Sequence, residues 1–219
     1  LAEEVPVRKL SVGVRDAAAF VITTEAIGNC QFVAIASALA MKEAAKYSRL
    51  VVGEGKPLVM PNRLRDITGV SSGSRLAARV LRSAAVDYLA DPEAPDDIKM
   101  YLDVTTAQLG SPDGPDPTEE EVAARRQVYL SRMSKDTVWG DELTLLALSN
   151  VCDVVIEVYR HIGRYKADKM PDQPKLQLIS SVSPFDKKDS TETIRLFWDG
   201  KIVQGVEHAH YMPLVSAAD

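Results

Sequence analysis

The chain has 219 residues with 26 Lys and Arg against 31 Asp and Glu, a net charge of -5. That balance argues against a dominant nucleic-acid-binding face, since such domains are usually basic. Two cysteines, Cys30 and Cys152, are too few for a disulfide scaffold and point to a reducing compartment, cytoplasmic or nuclear. No apolar run reaches the length of a membrane span and no signal peptide is evident, so no membrane segment is expected. A chain that opens at Leu1 reads as a fragment or processed form from which a targeting segment could be missing, and delivery into a host cell stays open. The length suits one substantial core, or one domain with an added lobe.

In chain order, the first informative stretch is Ile27-Gly28-Asn29-Cys30-Gln31-Phe32. The run Phe32 to Ala40 lacks Gly and Pro and reads as a buried helix with Cys30 at its N-terminus. There the helix dipole and unpaired backbone N–H groups favour a thiolate, and the same N–H groups could hold an oxyanion. Taken alone the motif is ambiguous, because a cysteine beside an apolar helix is most often a small core residue. Gly53-Glu54-Gly55-Lys56-Pro57 invites a phosphate-loop reading, but its spacing fails and a surface turn fits better.

A helix is predicted from Arg75 to Leu89, where Leu76, Val80, Ala84 and Tyr88 recur at i, i+4 behind N-cap candidates Ser71, Ser72 and Ser74. Gly110 to Pro117 has the chemistry of a loop, and Thr118-Glu119-Glu120-Glu121 is a capping-box pattern opening a helix to Met133. A helix around Leu143 to Ala147 leads to Cys152, read as a core thiol, and then to a strand over Val154 to Tyr159. His161 follows that strand and reads as a solvated surface histidine. Trp139 reads as a core anchor.

Lys175 to Ile179 and Glu192 to Trp198 alternate as strands, with Pro184, Lys187, Lys188 and Asp189 as a solvated hairpin loop between them. Asp199-Gly200 signals a tight turn before Lys201-Ile202-Val203, and Glu207 to Val215 is a further β-type segment. Helices therefore dominate the first half and strands the second, an α+β architecture. There is no Cys-x-x-Cys or His-Glu-x-x-His, and His208-x-His210 has no further ligand cluster, so neither metal nor cofactor is expected.

Gly28-Asn29-Cys30, then Met133-Ser134-(x)4-Trp139-Gly140-(x)-Glu142-Leu143, then the terminal His210-Tyr211, together resemble the ovarian-tumour (OTU) family of deubiquitinating cysteine proteases. The resemblance implies a papain-like fold, a central mixed sheet flanked by helices, in one catalytic domain over residues 1–219. It implies Cys30 as nucleophile, His210 as general base, and the backbone N–H groups of Ile27, Gly28 and Asn29 around the oxyanion. It also implies cleavage of the isopeptide bond after the C-terminal glycine of ubiquitin, with ubiquitin, a ubiquitin-like modifier or polyubiquitin chains as partners. Cys30 and Trp139 lie further apart than compact family members need, so a helical lobe inserted within 46–120 is expected.

Two positions depart from the family pattern. Ile27 stands where the family usually has Asp, leaving only its backbone N–H. Met212 stands where an Asp or Asn commonly orients the histidine, and a thioether cannot do so. Asp16, Asp199 and His208 are candidates for the missing group. The alternatives are a Cys-His dyad or a catalytically weak or inactive OTU-like ubiquitin-binding module.

Overall fold

The structure, a computed structural model, describes residues 7–11, 18–22, 28–54, 75–107, 117–136, 138–162, 175–185, 192–203 and 206–216. Among the described residues five helices stand between two groups of strands. In chain order these are β1 (Val7–Ser11), β2 (Ala18–Ile22), α1 (Cys30–Glu54), α2 (Arg75–Ala90), α3 (Asp96–Ala107), α4 (Glu119–Met133) and α5 (Glu142–Cys152). They continue with β3 (Val154–Ile162), β4 (Lys175–Val182), β5 (Glu192–Val203) and β6 (Val206–Ser216).

The strands form one sheet in the order β1-β2-β6-β5-β3-β4, antiparallel throughout except for the parallel pair β3 and β5. The α+β mixed sheet read from the sequence is therefore present. One face carries Ile156, Val158, Ile194 and Leu196, packed in one cluster with Phe32, Ile35 and Leu39 of α1, Leu81 of α2 and Leu148 of α5. α2 and α3 add Ala78, Ala85, Ile98 and Leu102 to the same core. A smaller cluster of Phe197, Met212 and Leu214 takes in Tyr159 and Leu176.

Local chemistry explains the helix ends. Thr118 and Glu121 form the expected capping box on α4, with the Thr118 N–H donating to Glu121 at 2.9 Å. α5 opens on a second box in which Asp141 accepts the Thr144 N–H at 3.1 Å and its own N–H donates to Thr144 Oγ1 at 2.9 Å. It ends at Asp153, whose left-handed φ of 48° turns the chain straight into β3. Cys152 at that end is buried in the main core, as read from the sequence.

Several sequence expectations change. The N-terminal strands β1 and β2 were not anticipated, because each is only five residues long and β2, on which β1 pairs, is itself held by the distant β6. Gly53 and Glu54 lie in the last turn of α1 rather than a surface turn. The repeat of Leu76, Val80, Ala84 and Tyr88 is not the inward stripe of α2: Leu76 is 59% exposed, while Ala78, Leu81, Arg82, Ala85 and Leu89 are buried. A charged residue in the middle of the buried face hides that stripe from a hydrophobic pattern. Trp139 is partly buried and lies outside both core clusters.

The segment after β4 is not a hairpin loop, since β4 and β5 lie on opposite sides of β3 and the chain must cross it. Its start is tied to α5 by the Phe185 N–H donating to Asn150 Oδ1 at 3.0 Å. His161 does not follow β3 but lies within it, paired with Leu176. Asp199-Gly200 is no turn either: β5 runs on through Asp199↔His210 and Gly200↔Ala209 to Val203↔Val206. The glycine marks close approach instead, because a Cβ at Gly200 would overlap the indole of Trp198. Ser71, Ser72, Ser74 and most of the Gly110 to Pro117 loop lie outside the described residues.

Gly200→Ala should push the Trp198 ring off the main core and destabilise the fold by about 1–3 kcal/mol. Urea unfolding checks this, and an unchanged midpoint would show that the indole has room to move.

Candidate active site

Gly28 and Asn29 form the turn into α1, and the first helical bond runs from the Val33 N–H to the Asn29 carbonyl at 2.9 Å. Cys30 is thus the first residue of α1, as the sequence predicted, and is 1% exposed. Backbone N–H groups of Tyr211, Gln31 and Cys30 itself hydrogen-bond its sulfur. The Tyr211 contact follows from strand lengths. Among the described residues β2 pairs with β6 only over Leu214–Ser216, so beyond its end the edge of β6 faces the start of α1. The fold in this way brings together Cys30 and the His210-Tyr211 pair from opposite ends of the chain.

Burial pushes the Cys30 thiol up, against the pull of those three N–H groups and the charge of Arg82. This corrects the expectation that the helix start alone favours a thiolate: loss of hydration outweighs the dipole. The resting group is a thiol that needs a base.

His210 lies in β6 directly opposite Asp199 of β5, and its Nδ1 is buried. Cross-strand partners place their Cβ atoms about 4.5–5.5 Å apart, so Asp199 is a near neighbour of the ring. Met212 shares the strand face of His210 and is buried against Phe197 and Leu214, filling its position with apolar packing. His208 pairs with Lys201 in the same ladder, and its side chain lies outside the described residues. So do Ile27 and Asp16 altogether. His161, in β3, is separated from β6 by β5 and is not part of this cluster. Among the described residues no group of three or more His, Cys, Asp or Glu is placed to hold a metal ion.

The Trp139-Gly140-Asp141-Glu142 segment acts through Gln31, which is fully buried next to Cys30. Gln31 Nε2 donates to the Asp141 carbonyl at 3.1 Å, its Oε1 accepts from Thr144 Oγ1 at 2.7 Å, and its side chain also hydrogen-bonds Tyr211. Burial, with Cys30, Asp141 and Glu142 nearby, pushes the Tyr211 phenol up to about 12 against that Gln31 bond. Gly140 is required because a Cβ there would overlap Gln31 Oε1. The Tyr129 hydroxyl donates to the Asp141 carboxylate at 2.9 Å, and burial raises its pKa so that it stays a donor.

Sequence reasoning missed Arg82. Its guanidinium is buried with Nε donating to Asn29 Oδ1 at 2.8 Å and Nη2 to the carbonyls of Gly28 at 2.8 Å and Val138 at 2.6 Å. Nη1 donates to the Met133 carbonyl at 2.6 Å and approaches its sulfur at 3.9 Å, and the plane lies over the Phe32 ring. The available signal was a lone charge on the α2 face that carries the small residues Ala78 and Ala85, where only a long side chain can fill the space.

Alkylation of Cys30 by iodoacetamide, followed across pH by peptide mass spectrometry, should show a midpoint above the ordinary cysteine value of about 8.5. A midpoint below 7 would mean that the donors outweigh burial.

Among known proteins, the family model described as OTU-like cysteine protease matches residues 62–211, which include His210 and Tyr211 and begin after Cys30. No curated protein matches. Similar solved structures include an OTU deubiquitinase from Wolbachia pipientis wMel, 14% identical over 91% of this chain and 90% of its own, with a TM-score of 0.47. The OTUD1 OTU domain is 16% identical over 90% of this chain and 85% of its own, with a TM-score of 0.45. The Hazara virus OTU bound to ubiquitin is 16% identical over 99% and 98%, with a TM-score of 0.41. At these identities and scores the likeness adds nothing to the family match. That match spans more than half of the chain and ends on the histidine-tyrosine pair set against Cys30, and this protein belongs to the OTU-like cysteine protease family.

Proposed function

We propose that this chain is a cysteine-type deubiquitinase, a thiol-dependent hydrolase that cuts isopeptide bonds after the C-terminal glycine of ubiquitin. The observation that carries the reading is the Tyr211 N–H on the Cys30 sulfur, which sets the neighbouring His210 against the one cysteine that opens a helix. The modifier follows from the family to which the chain belongs. Polyubiquitin and ubiquitin-like modifiers are in the same substrate class. The residues 1–219 act as one catalytic domain, and α2 and α3, which fall within the 46–120 insertion, pack on the common core. Two buried cysteine thiols suit a reducing compartment, cytoplasmic or nuclear.

In this reading His210 takes the proton of the Cys30 thiol as the sulfur attacks the glycine carbonyl. The oxyanion is held by backbone N–H groups of the turn from Ile27 through Gly28 and Asn29 to Cys30. The C–N bond then breaks, and protonated His210 gives its proton to the departing lysine amine. Water, deprotonated by His210, attacks the thioester, releasing ubiquitin with a free carboxylate and restoring the thiol. Asp199, the cross-strand partner of His210, takes the orienting role that Met212 cannot.

Hydrolysis of a fluorogenic ubiquitin amide tests the assignment. Cys30→Ala should abolish turnover and His210→Ala lower it by several orders of magnitude, with the fold retained. Cys152→Ala should keep turnover, since Cys152 is a core thiol. Full activity in Cys30→Ala would sink the nucleophile.

Asp199→Ala should reduce kcat by about 10²-fold or more. Met212→Asn should raise it less than about tenfold, because Asp199 already fills the role and a buried amide in the Phe197-Leu214 cluster costs about 1–3 kcal/mol. A rise of several orders of magnitude on Met212→Asn would show instead that His210 lacks an orienting group.

A further inference from the structure

We propose that Arg82 is a positioning residue for the reaction, fixing the Gly28-Asn29 turn beside Cys30 and supplying positive charge to the anions formed there. The inference rests on the deubiquitinase reading for its substrate but on the fold for its geometry. A guanidinium has five N–H donors, and the acceptors around Arg82 account for all five: Asn29 Oδ1, the carbonyls of Gly28, Val138 and Met133, and the Met133 sulfur. Every one of these acceptors is neutral. Asp136 acts on Arg82 only through space, and its own hydrogen-bonded ion pair is with Arg79 at 2.7 Å.

A core-filling role alone does not require this arrangement. An apolar side chain of similar volume would fill the same space without the desolvation cost of a buried cation. What an apolar side chain could not do is hold two acceptors of the turn that immediately precedes Cys30 while anchoring the end of α4 and the Val138 carbonyl. The charge also reaches the sulfur, since Arg82 favours the Cys30 anion and Cys30 favours the Arg82 cation. In a site from which water is excluded, a fixed charge of this kind acts strongly on developing negative charge. Among the described residues the other groups that act on the sulfur are the backbone N–H groups of Tyr211, Gln31 and Cys30, and the Tyr211 phenol lies within electrostatic reach of it.

Two variants separate the roles. Arg82→Lys keeps the charge and loses the fork, so kcat on a ubiquitin amide should fall at least about 30-fold with KM within about threefold, while the midpoint of Cys30 alkylation stays near wild type. Arg82→Met loses both, and the alkylation midpoint should rise by about half a pH unit or more. Asn29→Ala, which removes one acceptor and leaves Arg82 in place, should lower kcat in the same sense and decides the matter if the Arg82 variants do not fold. Wild-type kcat in a folded Arg82→Lys, in Asn29→Ala, or an unmoved midpoint in a folded Arg82→Met would overturn the proposal. Alkylation needs no ubiquitin, so a chain with an Arg82-dependent midpoint and no ubiquitin hydrolysis would keep this inference and remove the substrate reading.

Discussion

Burying an arginine is costly unless each N–H finds an acceptor, and Arg82 meets that condition only where three segments converge. The Gly28-Asn29 turn, the last turn of α4 and Val138 all present oxygens to one guanidinium. Each such bond to a charged group is worth about 1.5–3 kcal/mol, against about 0–1 for an exposed ion pair such as Arg79-Asp136. The shape of the turn before Cys30 is therefore set from α2, not by surface electrostatics.

A second constraint works from the other side of the same cysteine. Gln31 is held by the Asp141 carbonyl and by Thr144, and it also hydrogen-bonds Tyr211. The start of α1 is thus fixed between the cap of α5 and the edge of β6, where the Tyr211 N–H meets the sulfur. Both constraints place neutral or positive groups around a thiol that burial keeps protonated. That combination suits a nucleophile activated only when a neighbouring base removes its proton, and it protects the resting group from unproductive reaction.

The parts of this arrangement that were legible in the sequence are those with local chemical causes. The Gly28-Asn29 turn ahead of an apolar run marked the start of α1, and Thr118 with Glu121 marked the start of α4. Cys30 and His210-Tyr211 were singled out as a pair only through the resemblance of their motifs to the OTU family, not through periodicity or spacing. What escaped depends on contacts between distant segments. β2 joins the sheet because β6 offers an edge, with β1 paired on β2, and the crossing from β4 to β5 is decided by the parallel pairing of β3 with β5. Gly200 resembles a turn residue but serves the Trp198 ring, and Gly140 serves Gln31. Arg82 was invisible because a charge on a helix reads as a solvated face until its acceptors are seen. Asp199 was one of three candidates, and only the register set it opposite His210.

The central claim is that Cys30, set between the Arg82-held turn and the His210 strand, attacks the C-terminus of ubiquitin. Covalent capture by ubiquitin carrying a C-terminal electrophile, with the modified residue located by mass spectrometry, tests it most directly. The account expects a single adduct on Cys30, formed by the wild type and lost in Cys30→Ala. Tight ubiquitin binding without an adduct would contradict it and leave a ubiquitin-binding module, and an adduct on Cys152 would contradict the assignment of the nucleophile.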